Sequence, residues 1–499
     1  MDFQKSGLEN KEVGNDLISE SSIKVPSKER SFLLSSLNED NRFQSLSQFL
    51  SWFNSRKQVN EFEVRQIPFH EMEKWSFDTE KGNLFHDSGR FFSIKGVRIS
   101  TKINSWDQPI IDQPEIGILG IITKVFDGTR YFLMQAKMEP GNINIIQLSP
   151  TVQATKSNYT RIHGGNLTPY LEYFIDRSKA KILVDQLQTE QGARFMQKRN
   201  RNMIVEVSGD IELKEDFAWL TLGEIKKLLT MDNLVNMDSR SVISCIDYID
   251  DDLKEKYSSL GKDRFFDQDG FNKIPDGFKR DLFISMIDKK GAFQTVDEVI
   301  NWLTNIKSEE EISIKEIPLK EVKKWIRNDL EIKHDEKQFF SVVAVSTKAS
   351  NREVSSWTQP LIKQRGYGMV GFIAKKINGV LHFLVQARVD PCSFNVIELV
   401  PTVACTEAKY KLQTSQTPFL EMFMNPDPSK IKYWSTQSEE GGRFYHSQNS
   451  YVVIEIEENK SLSIPKNYTW MTFGQIIELV KHNYFNIDVR GIIACLSFM

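Results

Sequence analysis

The chain of 499 residues is built on an internal duplication. Residues from about 45 to 246 recur from about 295 to 496, at an offset that stays between 248 and 251. Trp52, Pro68 and Trp75 return as Trp302, Pro318 and Trp325, Arg194 as Arg443, and Arg240 as Arg490. Between 131–155 and 382–406, 12 of 25 positions are identical without a gap, which shared composition does not produce. The chain is therefore expected to fold as two copies of one domain, 45–246 and 295–499, with a mobile tail over 1–44, interrupted by a short apolar patch at Phe32–Leu37, and a solvated linker over 247–294.

Periodicity gives the elements of each copy. Leu46, Phe49, Leu50 and Phe53, and again Val296, Val299, Ile300 and Leu303, fall at helical spacing, and Thr295 with Glu298 forms a capping box. Segments 91–99, 116–125, 130–136 and 203–207, with their counterparts, are rich in β-branched and aromatic residues and read as strands. Asp127-Gly128 and Asn378-Gly379 lie between two such runs, where a type I′ turn needs positive φ at both central residues. The class is α+β: a mixed sheet flanked by helices, present twice.

Composition removes several kinds of function. With 64 Lys+Arg against 67 Asp+Glu, the chain lacks the basic excess of a nucleic-acid binder. No apolar run approaches the roughly 20 residues that span a bilayer, so no membrane partner and a cytoplasmic location are expected. Four cysteines without C-x-x-C spacing, and seven histidines without ligand spacing, give no disulfide framework and no metal site.

Chemistry concentrates after the first hairpin, in a polar stretch running from Gln135 to His163. From Gln147 to Thr155 every second residue is polar, as on a strand with one polar face. The duplicate keeps Gln386, Asn395, Thr402, Thr406 and Tyr410 but has Glu398, Val400 and Ala404 where the first copy has Gln147, Ser149 and Gln153. The richer polar set places an active pocket in the first repeat and a vestigial or regulatory one in the second. Arg194 and Arg443 follow glycine-containing turns and have the fork geometry for a diphosphate, and Trp106 and Trp357 have the flat face for a base.

Gln135-Ala-Lys-Met-Glu-Pro-Gly141, continuing through Gln147-Leu-Ser-Pro-Thr-Val-Gln-Ala-Thr155 to Ser157-Asn-Tyr-Thr160, resembles the signature of the NDP-hexose 2,3-dehydratase family, and the likeness covers nearly all of the chain from residue 45. The resemblance implies tandem Nudix-like domains in a homodimer that act on dTDP-4-keto-6-deoxy-D-glucose without a nicotinamide, flavin or metal. In a 4-ketohexose the C3 proton lies α to a carbonyl, so a base removes it if donors stabilise the enolate oxygen at C4. Loss of the C2 hydroxyl then leads to a 3,4-diketo-2,6-dideoxy sugar, which a downstream 3-ketoreductase consumes.

On this reading Glu139 and Tyr159 are the candidates for base and acid, and Lys137 and His163 for stabilising the enolate or assisting hydroxide departure. Gln147, Ser149, Thr151, Gln153, Thr155 and Asn158 hold the sugar and phosphates, Arg194 the diphosphate and Trp106 the thymine. Trp357, Arg388, Thr402, Thr406, Tyr410 and Arg443 make up the second pocket. Two alternatives stay open: a Nudix-type hydrolase, of whose metal-binding helix only Glu439-Glu440-Gly441-Gly442 is present, and a non-catalytic nucleotide-sugar-binding protein.

Overall fold

The computed structural model describes residues 26–156, 168–268, 270–336, 339–350, 354–406 and 417–499. Each repeat centres on a seven-stranded mixed sheet. In the first, the order is Lys181–Thr189, Arg199–Glu206, Gly117–Phe126, Thr129–Met138, Phe217–Thr221, with Val152–Ala154 on Gly117–Phe126 and Ile146–Ser149 on Thr129–Met138. Arg199–Glu206 runs parallel to Gly117–Phe126. The second sheet repeats this order, with Gln448–Ile456 parallel to Gly368–Ile377. Asp127, Gly128, Asn378 and Gly379 have φ of 48°, 78°, 53° and 74°, as the two tight hairpins require. The capping box of Val296–Glu309 is formed, and Phe49 and Phe53 are buried along Leu46–Val59. Among the described residues no helix is long and apolar enough to cross a membrane.

Two segments expected to be loose are packed. Within the supposed tail, Lys28–Ser36 is a helix capped by Ser27, with Phe32 and Leu33 buried in the main core. Within the supposed linker, Asp251–Phe266 and Phe278–Ile287 are helical, and Phe265, Leu282 and Phe283 are buried in the same core. These helices extend the duplication. The Ser35 hydroxyl donates to the Arg130 carbonyl and accepts from the Leu222 N–H, and Ser285 does the same with Leu381 and Phe473. The loose reading failed because the apolar stripe is short and lies among Ser, Lys and Glu; its partner is a distant sheet.

The repeats also exchange strands. Phe62–Ile67 of the first pairs with Ser341–Ala349 of the second, and Ser313–Ile317 of the second pairs with Ser93–Ser100 of the first. Each exchange completes a five-stranded outer sheet, and the two outer sheets share a core that includes Phe69, Phe92, Phe340 and Phe444. Two independent domains on a linker are therefore replaced by one interlocked pair.

Arg240 and Arg490 lock the inner contact, both fully buried. Arg240 donates to the Val235 carbonyl of its own repeat at 2.7 Å and to Gln437 Oε1 and the Ser438 carbonyl of the other at 3.0 and 2.5 Å. Arg490 reciprocates with Phe485 and Thr189. Stranding buried acceptors costs about 1–3 kcal/mol for each group, so Arg240→Met is expected to lower stability by about 2–5 kcal/mol. Urea unfolding checks this: the midpoint should fall with the slope unchanged.

Candidate active site

The crossing continues at the polar stretch of the first repeat. Gly141 is packed against the 441–446 turn of the second repeat: its N–H donates to the Gly441 carbonyl at 2.8 Å, and its carbonyl accepts from the His446 N–H at 2.8 Å. A Cβ on Gly141 would lie 1.6 Å from the Phe444 carbonyl oxygen, so only glycine permits this approach. The contact is reciprocal, with Gly192 of the first repeat against Ser393 and Asp390 of the second. The glycine-containing turn of the second repeat thus walls the first repeat's pocket, and that of the first packs on the equivalent place in the second.

Around Lys137 and Glu139 the contact encloses a cavity of about 540 Å³. The first repeat contributes Lys137, Glu139, Gln153, Thr155, Glu190, Lys198, Asn200 and Asp238, and the second contributes Trp357, Gln359, Glu440 and Arg443. Glu139 sits where Thr129–Met138 ends. Its Oε1 accepts from Gln153 Nε2 at 2.9 Å and lies 3.8 Å from Lys137 Nζ. Its Oε2 is buried without a hydrogen-bond partner among the described residues, so one carboxylate oxygen is held and the other has unspent accepting capacity. Asn236 donates to Gln153 Oε1 at 3.3 Å, which fixes the amide that holds Glu139.

Five carboxyl groups, those of Glu73, Glu139, Glu190, Asp238 and Glu440, share this cavity with Lys74, Lys137, Lys198 and Arg443. Burial raises Asp238 well above the usual carboxylate range, and Glu440, Glu139 and Glu190 add to the effect. Burial also pushes Glu440 up to about 7, opposed by Arg443 and reinforced by Glu190 and Glu139. Lys198 is lowered by burial, with Glu190 opposing. Glu190 Oε1 accepts from Asn200 Nδ2 at 2.8 Å.

The diphosphate and base candidates change places. Arg443, expected in the second pocket, lines this cavity; its guanidinium lies 4.2 Å from the Phe92 ring centroid and donates to Gln113 Oε1 at 3.1 and 3.2 Å. Trp357 moves with it: its Nε1 donates to Gln359 Oε1 at 2.7 Å, and Gln359 donates to the Gly442 carbonyl at 2.8 Å. Arg194, expected here, instead lies on Phe340 and feels Glu439, Asp390 and Asp488, with burial lowering it to about 10. Trp106, through Gln108, holds the Ala193 carbonyl beside Arg194. The interlocking of the repeats is the cause, and no spacing within one repeat reveals it.

The polar strand face also divides. Gln153 and Thr155 line the cavity, whereas Gln147, Ser149 and Thr151 are fully buried elsewhere. Gln147 Oε1 accepts from Ser438 in the other repeat at 2.8 Å, and Ser149 donates to the Pro150 carbonyl. Thr151 donates to the Leu133 carbonyl and accepts from the Ile122 N–H, joining two strands, as Thr402 does with Leu384 and Ile373. Their retention between copies reflects the sheet. Asn158, Tyr159, His163 and Tyr410 lie outside the described residues.

The equivalent place in the second repeat is built differently. Arg388 stands for Lys137 and donates to the Ala404 carbonyl at 2.8 Å, with Asp488 at 3.8 Å. Asp390, for Glu139, is pushed up to about 7 by burial beside Glu398. Ala404 has no amide to hold it, and Thr406 ends the strand Val403–Thr406. Asp238, Glu190, Lys198, Asn200 and Gln113 were not anticipated from sequence, and Glu440 was read there only as a remnant of a hydrolase helix, although the change from Gln191 to Glu440 between the paired turns was visible.

Two interlocked mixed-sheet repeats around a cavity of paired carboxylates and cations define a class, and the sequence comparison gives it a family. The model of the NDP-hexose 2,3-dehydratase family matches residues 46–246 and again 296–496. The chain belongs to that family. It is 42% identical over 473 residues, 94% of each chain, to the dTDP-4-dehydro-6-deoxy-alpha-D-glucopyranose 2,3-dehydratase of Saccharopolyspora spinosa. It is 41% identical over 458 residues, 90% of this chain and 89% of the relative, to the protein of that name from Amycolatopsis orientalis. A third of the same name, from Streptomyces violaceoruber, is 37% identical over 91% of this chain and 98% of its own.

Proposed function

We propose that this chain eliminates water across C2 and C3 of dTDP-4-keto-6-deoxy-D-glucose, giving a 3,4-diketo-2,6-dideoxy sugar. The observation that carries the reading is Glu139, which lines the cavity beside Lys137 with one oxygen held by Gln153 and the other without a hydrogen-bond partner among the described residues. Glu139 takes the C3 proton, and the Lys137 ammonium stabilises the enolate oxygen at C4. Gln153 and Thr155 contact the sugar, and Arg443 with Lys198 meets the diphosphate. Trp357 offers its ring to the thymine. Arg194 and Trp106 lie instead beside Asp390, at the equivalent place of the second repeat.

Hydrolysis fits less well. Glu439-Glu440-Gly441-Gly442 leads into a turn, whereas a Nudix hydrolase carries these carboxylates on a helix. Each mixed sheet, with one parallel pair and flanking helices, supports a Nudix-like origin for the repeats. A homodimer in the cytoplasm and a 3-ketoreductase that consumes the diketone complete the reading and rest on the family resemblance. Incubating the protein with dTDP-4-keto-6-deoxy-D-glucose and an aromatic 1,2-diamine tests it, because vicinal diketones condense with such diamines. The adduct is expected, and EDTA should not suppress it; cleavage to a nucleotide and a hexose phosphate would refute the proposal.

A further inference from the structure

Glu440 has no task in the scheme above, yet it stands in the cavity. Adjacent residues of its turn face opposite ways. Glu439 accepts from Asn449 and from Gln191 Nε2, whereas Glu440 lines the cavity of the first repeat. A methyl group on Gly442 would stand 3.0 Å from Glu440 Oε1 and 3.6 Å from Glu139 Oε1. The two carboxyl groups, one from each repeat, therefore converge on a single point of the wall, and glycine leaves that point open. The corresponding turn of the first repeat has Gln191 for Glu440 and Ala193 for Gly442, so the other side of the molecule has neither the carboxyl group nor the opening.

Elimination needs two groups at neighbouring carbons, a base at C3 and an acid at the oxygen on C2, because hydroxide leaves poorly unless it is protonated to water. We propose that Glu440 is a catalytic residue of the second repeat acting in the first repeat's cavity, as the acid that protonates the departing C2 oxygen. This rests on the dehydratase reading. Glu139 takes the C3 proton, and the electron pair of that bond becomes the C2–C3 double bond by way of the C4 enolate. The C2–O bond breaks with its pair on oxygen, which takes the proton of Glu440 and leaves as water. Tautomerisation restores both groups: C2 gains the proton held by Glu139, and the C3 hydroxyl returns one to Glu440. Burial that pushes Glu440 up to about 7 supplies the protonated form near neutrality. Arg443 and Lys198 oppose that shift, and Glu190 and Glu139 favour it.

The test separates the two proton transfers. Dehydration of dTDP-4-keto-6-deoxy-D-glucose is followed beside exchange of the C3 proton in deuterium oxide for the 2-deoxy analogue, which enolises but has nothing to eliminate. Glu440→Gln is expected to slow dehydration by about 10²–10⁴-fold while C3 exchange in the analogue continues, and Glu139→Gln is expected to lose both. Dehydration by Glu440→Gln at the wild-type rate would overturn the proposal and return the acid to Tyr159 or His163. Loss of exchange together with dehydration would overturn it too, by placing Glu440 at the first step. Should Glu440→Gln fail to fold, Glu440→Asp retains an acid one methylene further back and is expected to slow dehydration alone, with the same two results counting against the proposal. A wild-type protein that neither dehydrates nor exchanges overturns the dehydratase reading and this role together, whereas either contrary variant result leaves that reading standing.

Discussion

Glu139→Gln is expected to lower turnover by about 10²–10⁴-fold while dTDP binding is unchanged. The substitution preserves shape and the capacity to accept from Gln153 Nε2, and removes only the basicity of the unpartnered oxygen. Steady-state kinetics and calorimetric titration with dTDP measure the two quantities separately. If Glu139 merely fixed the turn before Pro140 and Gly141, stability and binding would fall together. Asp390→Asn is the matched control: Asp390 stands in the equivalent place beside Glu398, and turnover by this variant should stay near that of the parent protein.

Arg443→Ala is expected to weaken dTDP binding by about 1.5–3 kcal/mol, a rise in Kd on the order of 10–10²-fold, because it removes a charge-assisted contact to phosphate. Arg443→Lys should recover little. The guanidinium is held edge-on by Gln113 and face-on by Phe92, a geometry that an ammonium does not reproduce. Arg194→Ala should leave the KM of the dehydration unchanged. The order of these effects is the reverse of what position within each repeat suggests, since Arg194 lies in the same repeat as Glu139. Titration of the three variants with dTDP, beside their KM values, checks it; a larger loss at Arg194 would put the diphosphate on the other side of the molecule.

Sequence made the local architecture legible because its signals are local. The duplication, the hairpins at Asp127-Gly128 and Asn378-Gly379 and the capping box at Thr295 each depend on residues a few positions apart. It also placed Lys137, Glu139, Gln153 and Thr155 in one stretch, and these four line the same cavity. Exchange of the outer strands depends on pairing across more than two hundred residues, and either partner of Phe62–Ile67 satisfies the same alternating pattern. Arg443 and Trp357 were misplaced for that reason. Thr151 and Gln147 misled in another way: a buried hydroxyl that joins two strands and an amide at a repeat contact look, in sequence, like a polar face turned toward a ligand. The buried helix Lys28–Ser36 escaped because its duplicate, Phe278–Ile287, shares little more than one serine and an apolar stripe.

The first repeat's cavity, closed by the second repeat, is expected to break the bond between C3 and its hydrogen. dTDP-4-keto-6-deoxy-D-glucose carrying deuterium at C3 tests it most directly, with the label followed by NMR through complete conversion. Elimination through Glu139 predicts a dehydrated sugar with no deuterium at C3, which has become a carbonyl carbon. Consumption of the substrate with the label still at C3, in a hexose or hexose phosphate severed from its nucleotide, would show hydrolysis in place of elimination.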